Sequence, residues 1–257
     1  MKKITMDEVN NVIQWIKDYF NKNPFFKGVV IGMSGGKDSL VTASLCINAL
    51  GANRVFGVIL PNGKMIDKND AQRTCEFLGI KYKEIDISKT YNSIIENVEP
   101  IIKESGAGLS TVTTFNTPPR IRMTYLYAIA GSLGYLVANT SNLSEAMVGY
   151  TTKWGDNVGD FAPLANFTKN EVCEIGLLLG LPRDLVLKAP SDGLSGKTDE
   201  DNMGITYGEL EEYIRDGVVG ANFEKIKKLH QNSKHKRDGA IKFDSKRKNH
   251  FYGGVER

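Results

Sequence analysis

The chain has 257 residues, 41% of them hydrophobic and 25% charged, with a formal net charge of +3. This suits one sizeable α/β core and excludes disordered and collagen-like chains, and no apolar run approaches the ~20 residues of a membrane span. Residues 225–250 carry ten Lys/Arg against two Asp, a local charge of +8 that leaves the remainder at −5; such a tail fits either a polyanionic partner or a solvated basic helix.

Residues 4–21 read as an amphipathic helix, with Val9, Val12, Ile13, Ile16 and Phe20 at three- and four-residue steps. The charges between them exclude a signal-peptide core, and a cytoplasmic protein is expected. KGVVIGM (27–33) reads as a buried strand, Gly35-Gly36 as a turn, and 38–50 as a helix ending at Gly51. RVFGVIL (54–60) is a second strand, 67–78 a helix, KYKEIDI (81–87) a third strand and 90–104 a helix. GAGLSTVTT (106–114) reads as loop, and a helix is expected to open at Pro118-Pro119. YLVANT (135–140) is a short strand, and SNLSE (141–145) opens another helix. Strands alternating with helices imply a parallel twisted sheet with helices on both faces, a Rossmann-like α/β fold. The second half is looser: a Gly/Thr/Asp-rich loop over 149–168, a helix over 169–179, a polar loop over 188–205, and helices over 207–214 and 220–233. No repeat, linker or boundary is visible, so a single domain over 1–257 is expected. Cys46, Cys75 and Cys173 are odd in number and form no CxxC, which fits core packing in a reducing compartment.

The stretch VVIGMSGGKDS (29–39) has the context of a phosphate loop: buried strand, glycine turn, helix start. It is not a Walker loop. Ile31 stands where the first glycine belongs, and Asp38 stands where Ser or Thr belongs. The glycine spacing also fails the dinucleotide fingerprint. Free backbone N–H groups at the helix start favour an anion, Ser34 and Ser39 add hydroxyls, and Asp38 is suited to Mg²⁺ on bound phosphates. The bland alternative is a tight turn with Asp38 and Ser39 as caps.

SGGKDS resembles the S-G-G-x-D-S loop of the ATP pyrophosphatases. The resemblance implies an adenine nucleotide alpha hydrolase-like fold, a grip on the β- and γ-phosphates, and attack at the α-phosphate. Lys37 then occupies the variable position and is incidental. The run NTPPRIRM through NFTKNEV, with KAPSDGL, GKTDEDNMGITY and KHKR, is similar to the ammonia-dependent NAD⁺ synthetases over about residues 5–240. That resemblance implies ATP-dependent amidation of deamido-NAD by ammonia through an adenylate, with release of AMP and pyrophosphate. It assigns Gly32, Met33, Ser34, Gly35, Gly36, Lys37, Asp38, Ser39, Thr140, Lys169 and Ser191 to ATP, and Asp38 and Glu145 to Mg²⁺. Arg120, Lys153, Asp160, His235 and Lys236 are assigned to deamido-NAD, with the substrate bound along a homodimer interface. Lys153 is suited to offset charge as carboxylate meets phosphate, and Asp160 either accepts the proton of the incoming ammonia or serves only in binding. Arg122, two positions from Arg120, is expected to point elsewhere on the helix.

Three departures stand out: Ile59 where the family often has arginine near ATP, Lys197 in GKTDE, and Asp192 in PSDGL. The first implies that nucleotide grip comes from another residue. The length leaves no room for an amidase domain, so free ammonia is the expected nitrogen source. A tRNA-modifying adenylating enzyme and a nucleotide-sensing binding protein are the competing readings, with the basic tail favouring the first.

Overall fold

The apolar run at 27–33 forms β1 (Gly28–Gly32), the strand around which the molecule is arranged. The computed structural model describes residues 2–188 and 198–243. β2 (Val55–Ile59), β3 (Lys81–Glu84) and β4 (Tyr135–Val137) complete a four-stranded sheet in the order β3-β2-β1-β4, every pairing parallel. β1 pairs on both edges, and its side chains alternate between two cores. Val29 and Ile31 pack on one side of the sheet, and Val30 packs on the other. Burial on both faces is why the strand reads as a continuous apolar run.

α1 (Met6–Lys22), α2 (Lys37–Leu50) and α3 (Lys68–Leu78) cover the first face through Val9, Ile16, Leu40, Val41 and Ala71. α4 (Ser88–Glu104) and α5 (Thr111–Leu133) cover the second, α5 through Ile121, Met123, Leu126 and Ala130. α6 (Leu143–Val148) follows β4, and α7 (Lys169–Leu178) returns to the first face beside α2. Helices therefore flank the sheet on both sides, as the alternating pattern implies. A short α8 (Arg183–Val186) follows α7. α9 (Asp199–Met203), α10 (Tyr207–Asp216) and α11 (Phe223–Asn232) then gather a third core of Met203, Ile205, Leu210 and Ile226 against Val148 of α6. α12 (Lys234–Arg237) ends the ordered elements described. No described helix is long and apolar enough to cross a membrane.

Two local expectations are corrected. α5 is capped by Ser110, whose side chain accepts from Thr113 N, so residues 111–114 of the stretch read as loop are the helix's first turn and Pro118 and Pro119 lie inside it. Thr117 Oγ1, just before the prolines, donates to Thr113 O at 2.7 Å. α6 begins at Leu143 and not at Ser141, and Asn142 caps it: its side chain accepts from Glu145 N while the Glu145 carboxylate receives Asn142 N.

Candidate active site

The carboxyl ends of β1, β2 and β4 open into two adjoining cavities, where ligands bind in open α/β sheets. The first, about 710 Å³, is lined by Ser34, Gly36, Lys37, Asp38, Glu145 and Lys169 among others. The second, about 320 Å³, is lined by Val58, Leu60, Met65, Met123, Leu126 and Val158 among others. Ser34, Gly36, Asp67, Pro119, Thr140 and Asp156 face both.

The phosphate-type loop lies between β1 and α2. Gly35 has φ +80°, and a Cβ there would stand 2.4 Å from Asp67 O. Glycine is therefore required both by conformation and by the approach of α3's amino end. Ser39 is buried beneath the loop, and its hydroxyl donates to Gly36 O at 2.9 Å. Gly36 N donates to Ser34 Oγ at 3.2 Å. Ser39 thus braces the loop from behind instead of facing the cavity. Gly32 and Met33 line the second cavity only. The first turn of α2 offers unpaired N–H groups and a positive helix end to an anion. Lys37 is no bystander: its side chain is buried, lines the first cavity and lies beside the Cys173 thiol.

Asp38, Glu145 and Lys169 form the charged centre. Lys169 Nζ lies 2.9 Å from Asp38 Oδ2 and 2.6 Å from Glu145 Oε1. Asn142 Nδ2 donates to the other oxygen of Asp38 at 3.0 Å, so the α6 cap also orients the α2 carboxylate. Burial, with repulsion from Asp38, raises the Glu145 pKa against the opposing pull of Lys169. Burial works against the Lys169 ammonium, but Asp38 and Glu145 outweigh it and hold it well above the ordinary lysine value. Lys169 also lies over the Tyr207 ring, whose hydroxyl donates to the buried Asp199 at 3.1 Å. Two hard carboxylates already bridged by a cation are donors suited to Mg²⁺ once phosphate and water oxygens complete the shell. Among the described residues no cluster of three metal-ligating side chains exists, so protein alone does not make that shell.

Lys188 closes one side of the first cavity with ion pairs to Asp67 and Asp70. Lys236 closes another, donating to Gly149 O at 2.7 Å and Thr151 O at 2.6 Å. Thr140 faces both cavities as expected of an ATP contact. Ser191 and the departures Asp192 and Lys197 lie outside the described residues.

The remaining substrate candidates do not converge on the cavities. Asp160 is exposed at the edge of β4, lines neither cavity, and accepts from Val137 N at 2.7 Å and from Tyr127 Oη at 3.4 Å. In this position Asp160 is held by the β4 backbone and is not aimed into either cavity. Arg120 and Lys153 meet at an outer rim: Arg120 Nε donates to Lys153 O at 3.1 Å, and Lys153 Nζ donates to Gly239 O at 3.2 Å. The next residue, Trp154, has φ +63°, a backbone conformation costly for a bulky side chain and common near functional sites. His235 is exposed and lines neither cavity.

Asp156 emerges in place of Asp160. It faces both cavities and is fixed by Thr152 N at 2.6 Å, while its backbone carbonyl receives Asn139 Nδ2 and Ser141 Oγ. Its side chain is exposed to the cavity space, and desolvation by the surrounding protein raises its pKa, while the Thr152 N–H, Lys236 and Arg122 oppose that rise. Sequence offered little signal for choosing Asp156 over Asp160, since both sit in one polar loop. Ile59 is fully buried in the first core, so grip at that end of β2 falls to other side chains. The second cavity's cations are exposed Lys64 and half-buried Arg122.

Residues 8–240 match the family model described as NAD synthase. An NH(3)-dependent NAD(+) synthetase of Pyrococcus horikoshii is 39% identical over 254 residues, covering 92% of this chain and 94% of that protein. The solved NMN synthetase of Francisella tularensis is 35% identical with a TM-score of 0.84, covering 93% of this chain and 98% of that one. The NH3-dependent NAD synthetase of Campylobacter jejuni, solved with a nitrate ion, is 26% identical with a TM-score of 0.74, covering 93% and 98%.

Proposed function

The chain belongs to the NAD synthase family, and we propose that it uses ATP and ammonia to convert deamido-NAD to NAD, releasing AMP and pyrophosphate. It is a ligase that forms a C–N bond. The observation that carries this reading is the convergence of the glycine turn, Asp38, Glu145 and Lys169 on one cavity beside an apolar one. A triphosphate in the first cavity with its nucleoside in the second has its α-phosphate at the shared wall. There a substrate carboxylate displaces pyrophosphate and forms an acyl adenylate.

The protein's own groups divide the work. Loop N–H groups and Lys37 hold the leaving pyrophosphate, a preorganised positive site for charge that grows as the bond breaks. Asp38 and Glu145 would hold Mg²⁺, which supplies charge neutralisation on the phosphates. Lys169 then turns from the carboxylates to the phosphate chain. Ammonia attacks the acyl carbon, AMP leaves, and the proton lost by nitrogen goes to Asp156, the carboxylate that faces both cavities at their shared wall.

Arg120 pairs with Lys153, and Asp160 accepts from exposed Tyr127 of α5, a helix on which Val112, Phe115 and Leu133 are also exposed. This supports a homodimer in which the distal half of the dinucleotide runs along α5. Sedimentation as a fully active monomer would exclude it.

The likeness to an NMN synthetase favours a second substrate reading, nicotinate mononucleotide, with the same chemistry. The test of both is kcat/KM for each acceptor with Mg-ATP and ammonium. Deamido-NAD is expected to lead, and a mononucleotide preference above tenfold would reverse the assignment. Release of AMP on tRNA but on neither nucleotide would restore the tRNA-modifying alternative.

A further inference from the structure

Arg122 comes from the inward face of α5 and lines the second cavity, although the chemistry above gives it no task. Its Nε donates to Leu60 O at 2.9 Å, tying α5 to the end of β2. Guanidinium carries five N–H donors in a planar fork, and this bond uses one. Among the described residues its terminal nitrogens make no hydrogen bond to protein and no ion pair within 4.0 Å. Burial holds its pKa below the ordinary arginine value, and the charge of Asp156 opposes that drop. A half-buried guanidinium whose terminal nitrogens have no protein partner is costly unless an anion meets it there, even in a cavity that Asp156 also lines. A purely structural tie to Leu60 O needs no charge.

The anion that reaches this place is the α-phosphate. Asp156 faces both cavities, and it is the carboxylate whose field acts on Arg122. Of the four lysines that line the first cavity, Lys37, Lys169 and Lys188 serve the β- and γ-phosphate end, and Lys236 is engaged by Gly149 O and Thr151 O. Lys64 is exposed at the far side of the second cavity. We propose that Arg122 is a catalytic residue of adenylation, its two terminal nitrogens donating to the non-bridging oxygens of the α-phosphate. The proposal rests on the reading of the site given above.

In that step a carboxylate oxygen forms a bond to the α-phosphorus, the bond to the bridging α–β oxygen breaks, and pyrophosphate leaves with the electron pair. No proton moves, so the step needs a fixed positive charge and not an acid. Planar paired donors match two phosphoryl oxygens better than an ammonium does. Once the adenylate has formed, Arg122 keeps the AMP phosphate in place while ammonia attacks beside Asp156.

The experiment is single-turnover pyrophosphate release from Mg-ATP and deamido-NAD without ammonia, in wild type, Arg122→Gln, Arg122→Lys and Arg122→Ala. Wild-type release tests the reading of the site itself; each variant's ratio to it tests Arg122. Arg122→Gln is expected to slow release about 100-fold at saturating ATP, with the KM for ATP changed less than tenfold. Arg122→Lys is expected to recover only a minor part of the rate. Millimolar guanidinium added to Arg122→Ala is expected to restore release at least fivefold, and methylammonium is expected not to. The proposal is overturned if folded Arg122→Gln or Arg122→Lys releases pyrophosphate within threefold of wild type. It is overturned equally if guanidinium fails to rescue a folded Arg122→Ala whose rate is low.

Discussion

The two cavities meet at one wall yet are built on opposite physics. The first gathers Lys37, Lys169, Lys188 and Lys236 around Asp38, Glu145, Asp156 and Asp199, with most of these charges already paired or hydrogen-bonded to protein. The second has aliphatic and methionine side chains over much of its wall, with one half-buried cation and with Asp67 and Asp156 at the edge it shares with the first. In the first, a ligand must exchange partners with groups that already have them. In the second, it must fit a shape. Substitutions on the charged side should therefore act on rate, and those in the aliphatic wall of the second cavity, Arg122 apart, on nucleotide affinity.

Asp38→Ala offers the hardest test of that division. It removes a carboxylate that Lys169 and Asn142 both hold. Pyrophosphate release should fall at least ~10³-fold with the KM for ATP changed far less; activity near wild type would end the metal-holding role. Lys169→Met should follow, at about 100-fold in rate. It leaves Asp38 and Glu145 facing each other without their bridge, so Mg²⁺ alone should raise the melting temperature of this variant more than that of wild type. An equal shift would mean the carboxylates are not the cation site.

Asp156→Asn should separate the half-reactions. Adenylation should stay within about threefold while amide formation drops about 100-fold, the scale of a lost general base. Quenched reactions should contain accumulated acyl adenylate, and equal loss in both steps would return Asp156 to a structural role. The smallest effect is expected on the apolar side. Leu126→Phe narrows the second cavity and should raise the KM for ATP roughly tenfold, with kcat changed less than threefold. A kcat effect instead would show that the aliphatic wall, and not Arg122 alone, positions the reacting phosphate, and the division fails.

Most of the frame was legible in the sequence because burial leaves a plain pattern. Val29, Val30 and Ile31 read as a strand since both faces are covered, and the glycine turn with Asp38 announced itself through one helix start. What was lost lay in features that only tertiary placement decides. Pro118-Pro119 looked like a helix start because proline favours that position, yet the Ser110 cap sets it earlier. Lys37 stands at a variable motif position, but α2 turns its side chain into the cavity. Asp160 and Asp156 share a loop, and only the pairing of Asp160 with Val137 N tells which one faces away. Arg122 was expected to diverge from Arg120, and it does: the inward face of α5 delivers it to the second cavity.

The central claim is that a substrate carboxylate attacks the α-phosphate, and an oxygen label reads that directly. Deamido-NAD carrying ¹⁸O in its nicotinate carboxylate is turned over with Mg-ATP and ammonium, and the products are weighed by mass spectrometry. The account requires one labelled oxygen in the phosphate of AMP, the other in the amide of NAD, and unlabelled pyrophosphate. Unlabelled AMP, or ADP and phosphate in place of AMP and pyrophosphate, would contradict it.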